Sequence, residues 1–192
     1  MQRVSQRQGG AEAEMSMLFA DIRGSTTLAE GMSPTEFRQV IDRFYKATTA
    51  VLIRSEALID KLVGDEVVAY FIQGLAGPEH ARKAIEASIE ILKVTGHDDP
   101  NGPWVPVGAG VHTGIAFFGT VGSNKGVTDV TALGDAVNAS ARLASVAATG
   151  ELLVSDAALT AAQWNFHGLE ERDLELKGRS ERLKVRVIRL PE

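Results

Sequence analysis

Two aspartates, each beside a glycine turn, are the residues of this 192-residue chain best suited to chemistry. Asp21 follows the apolar run Met15 to Ala20 and leads into the small polar turn Gly24-Ser25-Thr26. Asp65 follows Gly64 between two apolar runs, Ala57 to Val63 and Glu66 to Ile72, a pattern that predicts a β-hairpin with Gly-Asp at its tip. Two unpaired carboxylates a few ångströms apart repel, and one takes up a proton unless a cation sits between them. A hard divalent ion such as Mg²⁺ or Mn²⁺ relieves that repulsion and keeps coordination sites for phosphate oxygens. Two ions roughly 3.5–4 Å apart could share such a pair. The backbone N–H groups of the turn Arg23-Gly24-Ser25-Thr26 would then face the phosphates that the cation carries. The plainer alternative is that each aspartate serves only its own turn, as a capped strand end and a common hairpin tip.

A second group lies on one helix. Asp135, Asn138 and Arg142 are spaced i, i+3, i+7 and share a face, with Val137, Ala141, Ala144 and Ala148 expected toward the core. A neutral amide one turn from a five-donor guanidinium suits a ribose, or a phosphate on which negative charge develops. An exposed helix with an Arg–Asp pair is the alternative. His80, His97, His112 and His167 are scattered without ligand spacing and read as structural. The glycine-rich stretch Gly122 to Val127 holds Lys125, but its spacing does not match a P-loop and it reads as a turn.

The elements that must position these groups follow from periodicity. Residues Met1 to Glu14 lack apolar periodicity and read as a flexible leader or linker remnant, so the domain is expected over 15–192. Strand one covers Met15 to Ile22. Ser33-Pro34 starts a long amphipathic helix reaching about Glu56, and the hairpin follows it. Gly77-Pro78 opens a second helix with Ala81, Ala84, Ile85, Ile89 and Leu92 on one face. Val105 to Val121, broken by Gly114, is expected to form a second hairpin. A third helix runs from Asp135 to about Ala148, then a short strand from Glu151, a short helix capped by Ser155, and two β segments around Lys177-Gly178. The order predicts an α+β domain with a ferredoxin-like βαββαβ core, its helices on one face of an antiparallel sheet, and C-terminal additions.

Composition narrows the classes of function. A net charge of −5 leaves no basic surplus for a nucleic-acid backbone. The chain has no cysteine, which excludes disulfides, thiolate metal sites and cysteine nucleophiles. The apolar runs are too short to span a bilayer and no secretory signal opens the chain, so a cytoplasmic location is expected.

Four segments together resemble the class III nucleotidyl cyclase catalytic domain. They are Phe19-Ala20-Asp21-Ile22-Arg23-Gly24-Ser25-Thr26, Lys61-Leu62-Val63-Gly64-Asp65, Thr131 to Arg142, and Leu176-Lys177-Gly178. The resemblance implies that Asp21 and Asp65, assisted by the Ile22 carbonyl, bind two Mg²⁺ or Mn²⁺ ions. It implies that Lys61 and Thr131 read the adenine, Asn138 positions the ribose, Arg142 stabilises the transition state at the α-phosphate, and Lys177 binds the β- and γ-phosphates. Thr131 stands where the family usually has aspartate, a departure that resembles class IIIb, whose members include bicarbonate-stimulated adenylyl cyclases. A threonine hydroxyl can still accept from the adenine amino group. The implied reaction converts ATP into cyclic AMP and pyrophosphate in a head-to-tail homodimer with shared sites. Two rivals are a guanylate cyclase, disfavoured by Lys61, and a non-catalytic cyclase-like module that binds nucleotide or a partner. A diguanylate cyclase is set aside because the hairpin tip reads Val63-Gly64-Asp65-Glu66-Val67.

Overall fold

The apolar run that ends at Asp21 is continuous because its strand is buried on both sides. A computed structural model describes residues 9–122, 128–175 and 182–191. In it, β1 (Gly10–Ile22) is flanked by β3 (Glu66–Ile72) and β4 (Val107–Gly122), both antiparallel to it. β2 (Leu58–Val63) pairs with β3 as the expected hairpin. The order β2-β3-β1-β4 is the ferredoxin-like one, extended beyond β4 by β6 (Leu152–Ser155), β8 (Arg182–Ile188) and β7 (Glu170–Glu175). β5 (Thr128–Leu133) pairs with the C-terminal half of β4, from Phe117 to Gly122.

Even-numbered β1 residues Leu18, Ala20 and Ile22 join one apolar cluster beneath α2 (Pro34–Arg54) and α4 (His80–Val94). Odd-numbered Met15, Met17 and Phe19 join a second cluster, which includes Ala136 and Ala144 of α5 (Asp135–Val146). The helices therefore do not all lie on one face: the two core helices share a face and α5 occupies the other. Short helices α1 (Ser25–Glu30), α3 (Gln73–Ala76) and α6 (Asp156–Ala161) complete the chain. Ser33 caps α2 through a capping box, its hydroxyl accepting from Glu36 N–H at 3.3 Å while the Glu36 carboxylate accepts from Ser33 N–H at 2.8 Å.

Three expectations change. Residues 105–121 do not form a hairpin: Gly114 lies inside the single strand β4, opposite Met15, where a Cβ would come within 2.9 Å of the Ala136 Cβ. This glycine makes room for α5 and turns nothing. The hairpin is instead β4 with β5, and its connection, residues 123–127 with Lys125, lies outside the described residues. β1 begins at Gly10, five residues before Met15, and residues 10–14 pair with Ile115 to Gly119 of β4. The polar/small alternation of this stretch belongs to an almost wholly exposed strand end. The buried side of α5 is Ala136, Ala139, Ser140, Leu143 and Ala144; Val137 and Ala141 are only partly buried, and Ala148 lies beyond the helix and is exposed.

Candidate active site

β1 and the β2–β3 hairpin deliver Asp21 and Asp65 to the same corner. Asp21 is in register with Glu66, and the backbone N–H of Ile22 donates to the Asp65 carbonyl at 3.1 Å. Gly64 forms the hairpin tip with φ 63°, a conformation that glycine adopts without strain, and Gly24 does the same at φ 66° just after Arg23. Tyr45 of α2 donates its hydroxyl to the Gly64 carbonyl at 2.7 Å, fixing the tip against the helix layer. α1 begins immediately after Gly24, so the expected turn Gly24-Ser25-Thr26 is the start of a helical turn whose first N–H groups have no intrahelical acceptor.

This corner is electrostatically frustrated. Burial is the largest influence on Asp21 and pushes its pKa up; Arg23 opposes this, while the neighbouring Asp65 carboxylate adds to it, leaving the pKa at about 6. Glu66 is also raised, by burial first and then by Asp21 and Asp65. Asp21 Oδ1 is buried without a hydrogen-bond partner. Two converging carboxylates with an orphaned oxygen are a donor set that fits a hard divalent cation. No cluster of three or more His, Cys, Asp or Glu side chains suited to a metal occurs among the described residues, so any ion here relies on this pair, backbone carbonyls and its ligand.

Arg23 has a different environment from the open turn expected around it. Its guanidinium pairs with the Asp21 carboxylate and donates to the Ser145 and Ala147 carbonyls, at 3.2 and 3.5 Å. It thereby ties the acidic corner to the C-terminal end of α5.

α5 presents Asn138 and Arg142, both exposed, from a helix packed unusually close to the sheet. A Cβ on Gly110 would lie 2.4 Å from the Ala144 backbone nitrogen. The Ser140 hydroxyl donates to the Met17 carbonyl at 2.6 Å, locking the helix onto β1.

The third group forms where side chains of β5, one of them near its N-terminal end, reach those of β2. Lys61 Nζ lies 3.3 Å from Asp129 and 3.9 Å from Asp60, with its side chain partly exposed. Thr131, buried, donates its hydroxyl to Asp60 Oδ2 at 3.2 Å, and Tyr70 donates to the same oxygen at 3.0 Å. Burial and the Asp60 charge push the Tyr70 hydroxyl up to about 12. Thr131 and Lys61, seventy residues apart in sequence, are thus brought together by one carboxylate that sequence reading overlooked. Its only sequence signal was an acidic residue inside an apolar strand.

No hydrogen bond or ion pair joins the Asp21–Asp65 corner to Lys61, Asn138 or Arg142 among the described residues. Lys177 lies outside the described residues. Three of the histidines do structural work: His80 Nδ1 bonds Ser16, His97 Nε2 accepts from Val107 N–H, and His112 Nδ1 bonds Ser155, while His167 is exposed and stacks on Phe166. Burial pushes His80 and His97 below the ordinary imidazole value.

The family described as "Adenylate and Guanylate cyclase catalytic domain" matches residues 9–188, and the chain belongs to it. An adenylate cyclase of Mycobacterium bovis is 29% identical over 167 residues, covering 86% of this chain and 37% of that protein. An adenylate cyclase of Anabaena cylindrica is 31% identical over 135 residues, covering 67% of this chain and 26% of that protein. The chain therefore spans well under half the length of these relatives. Among solved structures, the guanylyl cyclase Cya2 superposes with TM-score 0.83 at 24% identity, covering 94% of this chain and 93% of that one. The adenylyl cyclase CyaB of P. aeruginosa gives TM-score 0.80 at 23% identity, covering 95% and 97%. The class III cyclase fold is thereby established.

Proposed function

We propose that this domain is an adenylate cyclase, converting ATP into 3′,5′-cyclic AMP and pyrophosphate at sites shared across a homodimer. The observation that carries the reading is the acidic corner, where Asp21 keeps a buried oxygen without a partner beside Asp65. Asp21, Asp65 and the Ile22 carbonyl would hold Mg²⁺ or Mn²⁺, which when bound supplies acidity to the ribose 3′-hydroxyl and neutralises the leaving pyrophosphate. The chain's own groups do the rest. Arg142 meets charge developing at the α-phosphate, and Asn138 orients the ribose so that its 3′-oxygen stands in line with the α-phosphorus. Lys177 and the amides of Gly24-Ser25-Thr26 hold the terminal phosphates, whereas the Arg23 amide, expected to join them, is already spent on the Pro106 carbonyl at 2.8 Å. No protein nucleophile is needed, in keeping with a chain that lacks cysteine.

Lys61 and Thr131 favour adenine over guanine, because an ammonium donor suits the adenine ring nitrogen N1 and a hydroxyl acceptor suits its amino group. A homodimer is supported by exposed apolar side chains on the β4–β5 arm, Ile115, Val130 and Leu133. No helix among the described residues is long and apolar enough to cross a membrane, and a cytoplasmic location is part of the proposal. Bicarbonate stimulation rests on Thr131 alone, and a flat rate across a bicarbonate titration at constant pH and ionic strength removes it.

The decisive assay incubates the protein with Mn²⁺ or Mg²⁺ and either ATP or GTP, measuring both cyclic products, with Asp21→Ala as control. Cyclic AMP from ATP supports the reading, and cyclic GMP from GTP as the main product replaces it with a guanylate cyclase. Asp21→Ala and Arg142→Ala are each expected to be inactive, while their mixture regains part of the activity through mixed dimers holding one intact site. Silence from two folded, exchanging variants sinks the shared-site arrangement.

A further inference from the structure

Asp60 has a role that the cyclase reading does not assign. Its side chain is 2% exposed, and Oδ1 has no hydrogen-bond partner. The β2–β3 register shifts between Ile59 and Lys61, so Asp60 occupies a β-bulge. Consecutive residues of a regular strand point to opposite faces, whereas a bulge re-aims one of them. Here the result is that Asp60 Oδ2 and Lys61 Nζ come within 3.9 Å. The same oxygen collects the hydroxyls of Tyr70 and Thr131, and Tyr70 is itself held edge-on to Phe118 with ring centroids 6.4 Å apart. A buried carboxylate in a bulge, between the two residues proposed to read the base, is a costly arrangement for a purely structural purpose.

A threonine hydroxyl carries one proton and two lone pairs, and an ionised carboxylate only accepts. Once Thr131 donates to Asp60, its oxygen can offer nothing but lone pairs to a ligand. At position 6 of a purine, adenine carries an amino donor and guanine a carbonyl acceptor. We infer that Asp60 is a specificity-determining positioning residue: by taking the Thr131 proton and steadying the Lys61 ammonium, it makes the base pocket accept a 6-amino purine and repel a 6-oxo purine. This rests on the proposed role of Thr131 and Lys61 in facing the base. Discrimination by a fixed acceptor is larger than discrimination by shape, since the wrong base leaves acceptor facing acceptor.

Asp60→Asn tests it. The amide is nearly isosteric but can donate to Thr131, which frees the threonine proton to turn toward a 6-carbonyl. The measurement is kcat/KM for ATP and for GTP, with Mn²⁺, on wild type, Asp60→Asn, Thr131→Val and the double variant, each checked by thermal melt. In a wild type that prefers ATP, Asp60→Asn is expected to lower the ATP-to-GTP ratio at least about tenfold, mainly through KM, with GTP turnover held or raised. In the Thr131→Val background there is no proton to orient, so the Asp60 change leaves the ratio where Thr131→Val put it. Asp60→Ala, read the same way, replaces the amide variant should that fail to fold. An unchanged ratio in a folded variant, or equal losses on both substrates, overturns the role of Asp60 while leaving the adenylate cyclase reading intact. A wild type that prefers GTP overturns both.

Discussion

Two carboxylates of this chain, Asp21 and Glu151, are both shielded from solvent, one partly and one almost fully, yet their pKa values are pushed in opposite directions. Glu151 lies just before β6 with its side chain 6% exposed. Arg172 grips it with two hydrogen bonds of 2.7 and 2.8 Å, Arg189 adds one of 2.5 Å, and Ala148 N–H donates at 3.0 Å. The Arg172 hydrogen bond is the largest influence, and it pulls the Glu151 carboxyl down to about 2. Asp21 goes the other way, up to about 6, because burial and Asp65 outweigh Arg23. The difference lies in the company each keeps. At Glu151 the fold supplies every donor, and the buried acid ties β7 and β8 to β6; at Asp21 it supplies the Arg23 guanidinium to one oxygen and leaves the other without a partner.

The sharpest way to break this contrast is to neutralise each acid. Asp21→Asn is expected to lower cyclase turnover at least about 10³-fold, roughly 4 kcal/mol of transition-state stabilisation. Its melting temperature should match or exceed that of wild type, because the change removes a repelled charge. A variant that loses stability in step with activity refutes the assignment. Glu151→Gln should do the reverse, leaving Arg172 and Arg189 with Glu170 as their one shared carboxylate and a buried amide in place of the other. We expect a loss on the order of 3 kcal/mol in denaturant unfolding with little change in turnover per folded molecule. The pH dependence has a definite sign. The folded carboxyl lies below its ordinary value of 4.5, so its contribution is full above that pH and disappears as pH falls toward about 2. Acid titration of stability should therefore be flatter in Glu151→Gln than in wild type over that window.

Cation binding sharpens the contrast further. Mg²⁺ or Mn²⁺ without nucleotide should stabilise wild type by about 2.7 kcal/mol at a hundredfold excess over Kd, read as a raised melting temperature. The Asp21→Asn protein should not respond, whereas Glu151→Gln should respond as wild type does. A cation shift that survives in Asp21→Asn places the ion elsewhere. The smallest effect calibrates the rest: Ser33→Ala, which removes the α2 capping box and whose hydroxyl bonds only Glu36, should cost about 1 kcal/mol and alter neither turnover nor cation response.

How much of this was legible in the sequence depends on how locally each feature is specified. The α2 start at Ser33-Pro34 and the hairpin around Gly64-Asp65 are written in adjacent residues and match the structure closely. The convergence of Asp21 and Asp65 followed from strand order once the ferredoxin-like pattern was recognised. The misread glycine at 114 shows the limit: chain reversal and close packing use the same residue, and only α5 above it tells them apart. Asp60 carried only the faint signal of an acid inside an apolar strand, because a bulge breaks the alternation on which strand reading depends. Glu151 was invisible because its partners lie 21 and 38 residues away and meet it only after β7 and β8 have docked.

The bare backbone of β4 beneath α5 carries a last consequence, concerning tolerance to change. Asn138 and Arg142 ride on a helix that rests against Gly110 with no clearance, since any side chain there would press on the Ala144 nitrogen from 2.4 Å. A single methyl group at this buried position must lift the helix from its seat and carry both residues out of alignment with it. The aim of two exposed side chains is therefore governed by an atom that the chain does not have.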